Sequence, residues 1–464
     1  MEKVEIAFYP GVERDGFRTH VFIKNAKGRE GKVQAVILAA GLGTRLGLEE
    51  KAYPKGLLKV AGRELLLRHL ILLSREGVEK FVLVVNPRNR KYFEEFLARY
   101  PEYRVILVEN SHPERGNGYS LWCARLAVSG PFVLTMSDHL FEEAFVKRAV
   151  RGQGLILDRQ GFYVDPVEAT RVKVSEGRVV EIGKGLEPYD GFDTGFFVLA
   201  PEIFKAAERL VEIRQEISLS EIVQAARIPV TEVSGLFWTD VDTPEDLKQA
   251  RKLLIRASVK GAGDGLISRT LNRRLSTRIS PYLCGRITPN QATILSFLLG
   301  LLSAALAYFH TAFGGLLYQI HSVLDGVDGE IARAALMKSR FGGLLDSVLD
   351  RYVDFIFLSF LLLKLKPGGL LLAAGLLALL GTVMVSYTTE RFKGAYGKDA
   401  YGIFPVLHYF PGKRDERIFL IFLFCLSGRP ELLFPVLALL THLKVLFTLT
   451  VFWRKRSELE EAQG

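Results

Sequence analysis

The sequence is poor in cysteine, and its three cysteines lie far apart. Cys123, Cys284 and Cys425 show no CxxC spacing among the 464 residues. This pattern excludes a disulfide framework and indicates no zinc site. Methionine and tryptophan are also scarce, at 4 and 3 residues, and scarce Met, Asn, Gln and Cys beside abundant Arg, Lys and Glu fit a thermophilic source. No apolar core segment occurs near the N-terminus, so we expect no signal peptide.

The mean hydropathy of +0.18 averages two unlike halves. Residues 1–258 have the composition of an ordinary soluble α/β protein, whereas residues 290–453 contain long apolar runs. Two runs, 292–309 and 368–388, approach or reach the roughly 20 residues that cross a bilayer. Further spans are predicted at 312–335, 341–364, 414–428 and 431–453, provided that their polar faces look inward. We therefore expect an all-α membrane domain of about six transmembrane helices.

The net charge of +10 is compatible with nucleic-acid binding, but the basic residues crowd around the predicted spans. Anionic lipid heads and phosphorylated substrates explain that placement better, so we expect no nucleic-acid partner. Arg454, Lys455 and Arg456 follow the last span, and the positive-inside rule places them in the cytoplasm. The sequence predicts a multi-pass protein of the cell membrane whose soluble half and C-terminus are cytoplasmic.

Four aspartates lie inside this otherwise apolar half. Asp325 and Asp328 are separated by one helical turn, as are Asp346 and Asp350, so each pair lies on one helix face. Carboxylates in or near a bilayer are costly and mark candidate functional sites. Two such helices facing each other would form a four-carboxylate cage. Oxygen ligands in that number suit Mg²⁺ or Mn²⁺ better than zinc.

The same stretch resembles the CDP-alcohol phosphotransferase signature, D-x2-D-G-x2-A-R-x8-G-x3-D-x3-D, at every fixed position. The resemblance implies two ions held by the four aspartates, and it implies Asp350 as the base that deprotonates the acceptor hydroxyl. It assigns the CDP moiety to Asp328, Gly329, Ala332, Arg333 and Gly342. Asp354 lies outside the signature, and we interpret it as a structural residue paired with Arg351.

The soluble half begins with an apolar run at 34–41, which is followed by the glycine-rich GLGTRLG. A strand followed by such a loop is typical of phosphate binding, because glycines let backbone N–H groups approach phosphate oxygens. Apolar runs at 80–86, 104–109 and 131–137 alternate with helical stretches. This alternation predicts an α/β, Rossmann-like fold with a mostly parallel sheet covered on both faces.

Acidic residues follow two elements of this predicted sheet. Asp138 ends a strand, where open α/β sheets place ligands. Asp240 and Asp242 precede a helix that we expect to be capped by Thr243, with Pro244 at its first position. Either acid of that pair could instead serve only as a helix cap.

Together, LAAGLGTRL, PKGLLKVAG, the strand-end aspartate and WTDVDTPEDL resemble the nucleoside-triphosphate sugar nucleotidyltransferases over most of residues 33–255. The resemblance implies in-line attack on the α-phosphorus, assisted by metal and cationic side chains. It assigns triphosphate contacts to Gly41, Gly43 and Arg45, charge neutralisation to Lys55, and Mg²⁺ to Asp138 and Asp240. Gly116 and Asn117 would recognise the base of the nucleoside triphosphate, or would form only a turn and a helix cap. Lys184 and Asp193 would contact the second substrate, or would be solvated surface residues.

A connecting segment at 256–289 is predicted to contain a linker and an interfacial amphipathic helix. Its arginines would anchor phospholipid heads or reach an acceptor phosphate; they are Arg269, Arg273, Arg274 and Arg278. The other expected parts are an extension without functional signal at 1–32, a nucleotidyltransferase domain at 33–255, a membrane domain at 290–456 and a tail at 457–464.

The two predicted activities interlock, because one half would make a CDP-activated compound and the other would consume one. Their pairing on one chain resembles a family of bifunctional inositol-phosphate transferases. That resemblance implies CTP, inositol 1-phosphate and CDP-inositol as ligands, and a homodimer through the membrane helices. The product would be a phosphorylated precursor of di-myo-inositol phosphate, an osmolyte of hyperthermophiles. Two alternatives stay open: transfer of the headgroup to a lipid alcohol, and a transporter with a regulatory nucleotide-binding domain.

Overall fold

A computed structural model of the protein describes residues 6–8, 33–41, 53–259 and 264–456. The chain divides into two compact units, Met1–Ala257 and Ser258–Gly464. Two predicted site residues, Gly43 and Arg45, lie outside the described residues.

The first unit is an α/β domain. Its strands are β1 Ile6–Phe8, β2 Val33–Leu38, β3 Lys59–Val60, β4 Arg63–Glu64, β5 Val78–Val85, β6 Val105–Glu109, β7 Phe132–Met136, β8 His139–Phe141, β9 Gly154–Asp158, β10 Arg171–Ser175, β11 Arg178–Gly183, β12 Gly191–Leu199, β13 Val230–Glu232 and β14 Trp238–Asp240. Its helices are α1 Leu65–Arg75, α2 Arg90–Leu97, α3 Gly116–Cys123, α4 Glu143–Ala149, α5 Ile203–Ile213, α6 Leu219–Ala226 and α7 Pro244–Ala257.

Within the described residues, one ten-stranded sheet has the order β1-β6-β5-β2-β7-β12-β10-β11, with β9 against β12 and β13 against β9. The neighbours β6, β5, β2 and β7 are parallel, and their apolar runs are buried, as expected for strands covered on both faces. The predicted α/β architecture is confirmed.

The sheet is mixed rather than mostly parallel. β10 and β11 are joined by only Glu176 and Gly177, both with positive φ, and two-residue loops of this kind connect antiparallel strands. β12 then runs antiparallel to β7. The parallel centre nevertheless brings the carboxyl ends of β2, β5, β6 and β7 to one edge, where open sheets bind ligands.

The second unit is helical, with α8 Arg273–Leu283, α9 Pro289–Phe309, α10 Thr311–Ala334, α11 Arg340–Leu365, α12 Gly369–Tyr396, α13 Ala400–Ile403, α14 Arg414–Leu426 and α15 Leu433–Arg454. In the described part of the chain, three segments are long and apolar enough to cross a membrane: Pro289–Phe309, Gly369–Tyr396 and Pro430–Arg454. They coincide with three of the predicted spans, and the count of six stays a prediction.

Small residues let these helices approach closely. A Cβ added at Gly300 of α9 would lie 2.5 Å from Val353 Cγ1 of α11, and one at Gly381 of α12 would lie 2.0 Å from Thr441 Oγ1 of α15. Small residues at helix crossings are typical of membrane bundles. The start of α9 is defined by a capping box between Thr288 and Gln291.

The predicted amphipathic segment forms a π-helical turn, Ser268–Asn272, that continues into α8. Leu266 is 58% exposed and Leu275 40%, which leaves an apolar face on the outside. Arg274 and Arg278 are also exposed. Arg273 instead points inward, where its guanidinium lies 2.8 Å from Asp264 and 3.1 Å from Glu330 of α10. This arginine therefore joins helices rather than facing solvent.

Candidate active sites

A cavity of about 870 Å³ lies in the first unit at the carboxyl ends of the parallel strands. Its lining includes every described residue that the sequence predicted for this half: Gly41, Lys55, Gly116, Asn117, Asp138, Lys184, Asp193, Asp240. Residues that are scattered over some 200 positions of sequence therefore share one cavity.

Lys55 is held among acids at the floor of this cavity. Its Nζ lies 2.5 Å from Asp242 Oδ1 and 3.9 Å from Asp138 Oδ2. Asp240 is exposed and pairs across the β8–β14 ladder with His139. A lysine beside several acidic oxygens suits a site that handles phosphate together with a divalent ion.

The helix after these acids begins as predicted. Asp246 N–H donates to Thr243 Oγ1 at 3.2 Å, and Asp246 Oδ2 accepts from Thr243 N–H at 2.7 Å. Thr243 and Asp246 thus form the cap of α7, which confirms Thr243 as the N-cap. The Asp242 carboxylate is turned to Lys55 instead, a role that the sequence reasoning missed.

His139 is a second residue that the sequence reasoning missed. Its Nδ1 lies 3.0 Å from Asp138 Oδ1. Burial alone would lower the pKa of His139, but the hydrogen bond with Asp138 and the negative charges of Asp138, Asp240 and Asp193 together outweigh burial and raise that pKa. Burial would raise the pKa of Asp138, yet the His139 bond and the Lys55 charge hold it below its ordinary value. The position of His139 directly after a strand-end aspartate was the available signal.

Gly116 and Asn117 form the opposite wall of the cavity. Gly116 starts α3 with φ +90°, and a Cβ there would lie 2.4 Å from Ile217 O, so the position requires glycine. Asn117 Oδ1 accepts from Leu219 N–H at 2.7 Å and so binds the first residue of α6, whose N-cap is Ser218. The turn is therefore structural, and contact of this wall with a base stays a prediction.

The two residues predicted to contact the second substrate, Asp193 and Lys184, differ in burial. Asp193 is half-buried, and its Oδ1 accepts from Gly195 N–H at 2.9 Å. Burial raises the pKa of Asp193 to about 6. Lys184 is exposed at the cavity rim.

In the second unit, ligand atoms of His321, Asp325 and Asp350 lie within 4.8 Å of one another. Asp325 and Asp350 come from facing helices, α10 and α11, as the predicted cage requires. His321 stands one turn before Asp325 on α10, and this spacing was the signal that could have identified it. Two carboxylates and an imidazole at this spacing form a ligand set for a divalent metal ion.

The other two predicted metal ligands lie outside this group. Asp328 accepts a hydrogen bond from Thr293 of α9 and another from the N–H of Gly329. Asp346 is half-buried and makes no hydrogen bond or ion pair with any residue that the structure describes. Their metal role stays a prediction.

The residues predicted to hold CDP are on the same helices. A Cβ at Gly329 would lie 3.0 Å from Arg333 Nη1, and one at Gly342 would lie 2.9 Å from Ser339 Oγ. Arg333 Nε donates to the carbonyl of Ser258, and Ala332 directly precedes Arg333 on α10. Their contact with a nucleotide stays a prediction.

Arg414 of α14 is the cation at the centre of the acidic group. Its Nη1 lies 2.7 Å from Asp325 and 3.0 Å from Asp350, and its Nε lies 3.2 Å from Asp354. Tyr318 O–H also donates to Asp354, at 2.6 Å. The predicted pair of Arg351 with Asp354 is wrong, because Arg351 Nη1 lies 3.4 Å from Asp350 instead.

A cavity of about 320 Å³ adjoins these residues. Its charged lining residues are four acids and five cations: Asp264, Asp325, Asp350, Asp415, Arg273, Arg351, Lys413, Arg414 and Arg417. Nε and Nη2 of Arg417 are buried and have no hydrogen-bond acceptor among the described residues. Arg417 Nη2 does form an ion pair with Asp354 Oδ2 at 3.7 Å. Buried donors without a hydrogen-bond acceptor nevertheless suit an anionic ligand that brings its own oxygens.

Both halves of the chain match known protein families. Residues 35–154 match the MobA-like NTP transferase domain, and residues 286–454 match CDP-alcohol phosphatidyltransferase. Proteins of Aquifex aeolicus and Thermococcus kodakarensis, both named bifunctional IPC transferase and DIPP synthase, are 52% and 51% identical to the chain. The matches cover 92% and 91% of this chain and 99% and 98% of those proteins.

Among solved structures, the inositol-1-phosphate CTP transferase from T. maritima is 32% identical, with a TM-score of 0.43. That match covers 48% of this chain and 96% of the solved one. On the strength of the full-length relatives and the two domain matches, the chain belongs to the family of the bifunctional IPC transferases and DIPP synthases.

Proposed function

We propose that the first unit joins CTP and inositol 1-phosphate to give CDP-inositol and pyrophosphate. The second unit then transfers phosphoinositol from CDP-inositol to another inositol 1-phosphate, giving di-myo-inositol phosphate phosphate and CMP. The observation that carries the proposal is the presence of two cavities on one chain, each with acidic oxygens beside basic side chains. The first reaction makes the compound that the second consumes.

In the first reaction, a phosphate oxygen of inositol 1-phosphate attacks the α-phosphorus of CTP, and the bond to the pyrophosphate oxygen breaks. Lys55 neutralises phosphate charge beside Asp138 and Asp242, with Arg45 and the glycines Gly41 and Gly43 as predicted triphosphate contacts. A divalent ion held by Asp138 and Asp240 would supply further neutralisation of the leaving pyrophosphate. Asp193 and Lys184 would receive the inositol ring and its phosphate.

In the second reaction, an acceptor hydroxyl attacks the phosphorus that carries inositol, and CMP leaves with the bridging oxygen. Asp350 takes the hydroxyl proton. A divalent ion held by Asp325, Asp350 and His321, with Asp328 and Asp346 as further expected ligands, would neutralise the diphosphate. Two ions would fit the four aspartates. The CDP moiety would lie along Gly329, Ala332, Arg333 and Gly342.

The charge of the second cavity favours a phosphorylated, water-soluble acceptor over a lipid alcohol. Lys413 Nζ donates to the Asp264 carbonyl at 3.2 Å and lies 4.2 Å from the centre of the Tyr401 ring. The lining contains five cations and four acids, so positive charges are in excess by one. A lipid alcohol carries no phosphate to neutralise them, whereas inositol 1-phosphate does.

The membrane setting follows from the apolar helices and the positive-inside rule. We expect both reactions on the cytoplasmic side, with anionic lipid at the amphipathic segment and homodimerisation through the membrane helices. The product would serve in osmolyte synthesis in a hyperthermophile.

The test is product analysis by mass spectrometry after membranes containing the chain receive CTP, labelled inositol 1-phosphate and Mg²⁺. We expect labelled CDP-inositol, CMP and a water-soluble diinositol product. Lys55→Met should block the first step but still convert added CDP-inositol. Asp350→Asn should accumulate CDP-inositol. Label that partitions into organic solvent would instead indicate a lipid acceptor, and an absence of CMP release would contradict the second activity.

A further inference from the structure

Three asparagines are buried at the carboxyl ends of β5 and β6, close to the first cavity. Asn86 and Asn89 are 2% exposed, and Asn110 is completely buried. Asparagine is rarely buried unless its amide is paired, since an unpaired amide is costly. Their hydrogen bonds therefore indicate what each side chain holds in place.

Asn86 and Asn89 bind the two residues that lead into the glycine loop. Asn89 Nδ2 donates to Ala39 O and Asn86 Nδ2 donates to Ala40 O, both at 2.8 Å. The two asparagines also bind each other: Asn86 N–H donates to Asn89 Oδ1 at 3.0 Å, and Asn89 N–H donates to Asn86 Oδ1 at 2.9 Å. Because both ends of each amide are used, neither can flip without losing bonds.

These bonds occur where the chain leaves the sheet, directly after β2. Ala39 N–H still bonds to Val84 O at 2.8 Å, whereas the carbonyls of Ala39 and Ala40 are paired with the asparagine side chains. A peptide unit is planar and trans, so its C=O and N–H point in opposite directions. Holding the Ala40 carbonyl against Asn86 therefore directs the N–H of Gly41 away from Asn86. Backbone N–H direction is what a phosphate-binding loop depends on.

Asn110 makes the equivalent connection to the other wall. Its Nδ2 donates to Ser120 Oγ at 2.9 Å, and its Oδ1 accepts from His112 N–H at 2.8 Å. Ser120 Oγ in turn donates to Gly116 O at 3.4 Å. Gly116 and Ser120 both line the cavity.

We propose that Asn86, Asn89 and Asn110 form an amide layer of positioning residues that holds the start of the triphosphate loop and the Gly116 wall in the geometry that binds CTP. None of the three lines the cavity, so they act through the backbone groups they hold. The inference rests on the proposed function in one respect, namely that this cavity binds CTP. It adds residues that neither the signature motifs nor the predicted ligand set include.

The test replaces one buried side-chain amide by a carboxylate. Asn89→Asp replaces the donor to Ala39 O by an acceptor and keeps the acceptor for Asn86 N–H. The matched control is Gln34→Glu, because Gln34 is 3% exposed and its Nε2 donates to Ser129 O at 2.6 Å. Gln34 lies at the amino end of β2, at the opposite edge of the sheet from the cavity. Both variants thus direct a new acceptor at a buried carbonyl, but only one does so next to the glycine loop.

We expect the KM for CTP to rise about 10- to 100-fold in Asn89→Asp, as for displaced binding groups, with a smaller effect on the KM for inositol 1-phosphate. In Gln34→Glu the KM for CTP should stay within about twofold of wild type despite a similar loss of thermal stability. Equal KM values in the two variants would overturn the inference.

A second variant keeps the test decisive if the aspartate substitution prevents folding. Ser120→Ala removes only the hydroxyl between Asn110 and Gly116 from a helix, and it should also raise the KM for CTP. An unchanged KM there would contradict the proposal. Failure of the proposed function itself would look different, because the wild-type chain would then release no pyrophosphate from CTP.

Discussion

Removal of the Arg414 charge should destabilise the membrane unit and stop phosphotransfer while leaving cytidylyl transfer intact. The Arg414 side chain is 16% exposed, and the Asp350 and Asp354 side chains that it binds are 12% and 5% exposed. Arg414→Gln would leave these acids and Asp325 without their shared cation. Breaking a buried pair by removing one partner costs roughly 3–5 kcal/mol. For a unit of this size, that free energy corresponds to a fall in Tm of roughly 6–20 °C.

Divalent metal should recover part of that loss. An ion that binds Asp325 and Asp350 occupies oxygens that Arg414 contacts in the wild-type chain, so the variant offers them without competition. Binding at a concentration one hundred times Kd stabilises by about 2.7 kcal/mol. The Tm difference between Mg²⁺ and EDTA should therefore be larger in Arg414→Gln than in wild type.

The assay is thermal unfolding of the full chain in detergent, in EDTA and in Mg²⁺, alongside CMP release from CDP-inositol and pyrophosphate release from CTP. Arg429→Gln is the matched control, because Arg429 is exposed at a helix junction and lies away from the acids. A variant Tm within about 2 °C of wild type in EDTA would refute the reasoning, as would undiminished CMP release.

Three further outcomes are expected. Gly116→Ala should cost about 1–3 kcal/mol of stability and raise the KM for CTP, because φ +90° and the Ile217 carbonyl leave no room for a Cβ; unaltered CTP kinetics would contradict this. The contribution of Asp193 to wild-type stability should fall as pH rises from about 4 to 6, because the pKa of Asp193 goes from 3.8 to about 6 on folding and the folded form holds its proton more tightly. Asp193→Asn should lack that decline in denaturation curves, and a superimposable profile would disprove it. Glu330→Gln should lower the Tm of the membrane unit, since Glu330 is fully buried against Arg273, Ser276 and Ser280 and loss of its charge costs roughly 3–5 kcal/mol; an equal Tm would show that the hydroxyls suffice.

Features that depend on local spacing could be predicted from the sequence. The Thr243 cap and the start of α9 were readable because capping residues act over three or four positions. The meeting of Asp325 and Asp350 followed from helical periodicity and a facing helix. The antiparallel hairpin of β10 and β11 was also readable in principle from the two-residue link at Glu176 and Gly177.

Partners that are distant in sequence could not be predicted. Lys55 and Asp242 are 187 residues apart, and Arg414 is 89 residues from Asp325. No local pattern indicates which of two neighbouring aspartates, Asp240 or Asp242, contacts the distant Lys55. Likewise, the choice of Arg414 rather than Arg351 as the partner of Asp354 depends on how α14 packs against α10 and α11.

The inward turn of Arg273 has a mechanical consequence. On one side, its helix presents leucines that favour the interior of a lipid leaflet; on the other, Arg273 is bonded to Glu330, five residues beyond Asp325 on the same helix. With α8 at the lipid surface, as the sequence predicts, this contact would fix the depth of Asp325 and Asp350 relative to that surface rather than to the far ends of the spans. A bilayer that thickens or thins would then tilt the long helices and leave the acids at the same depth below the water boundary.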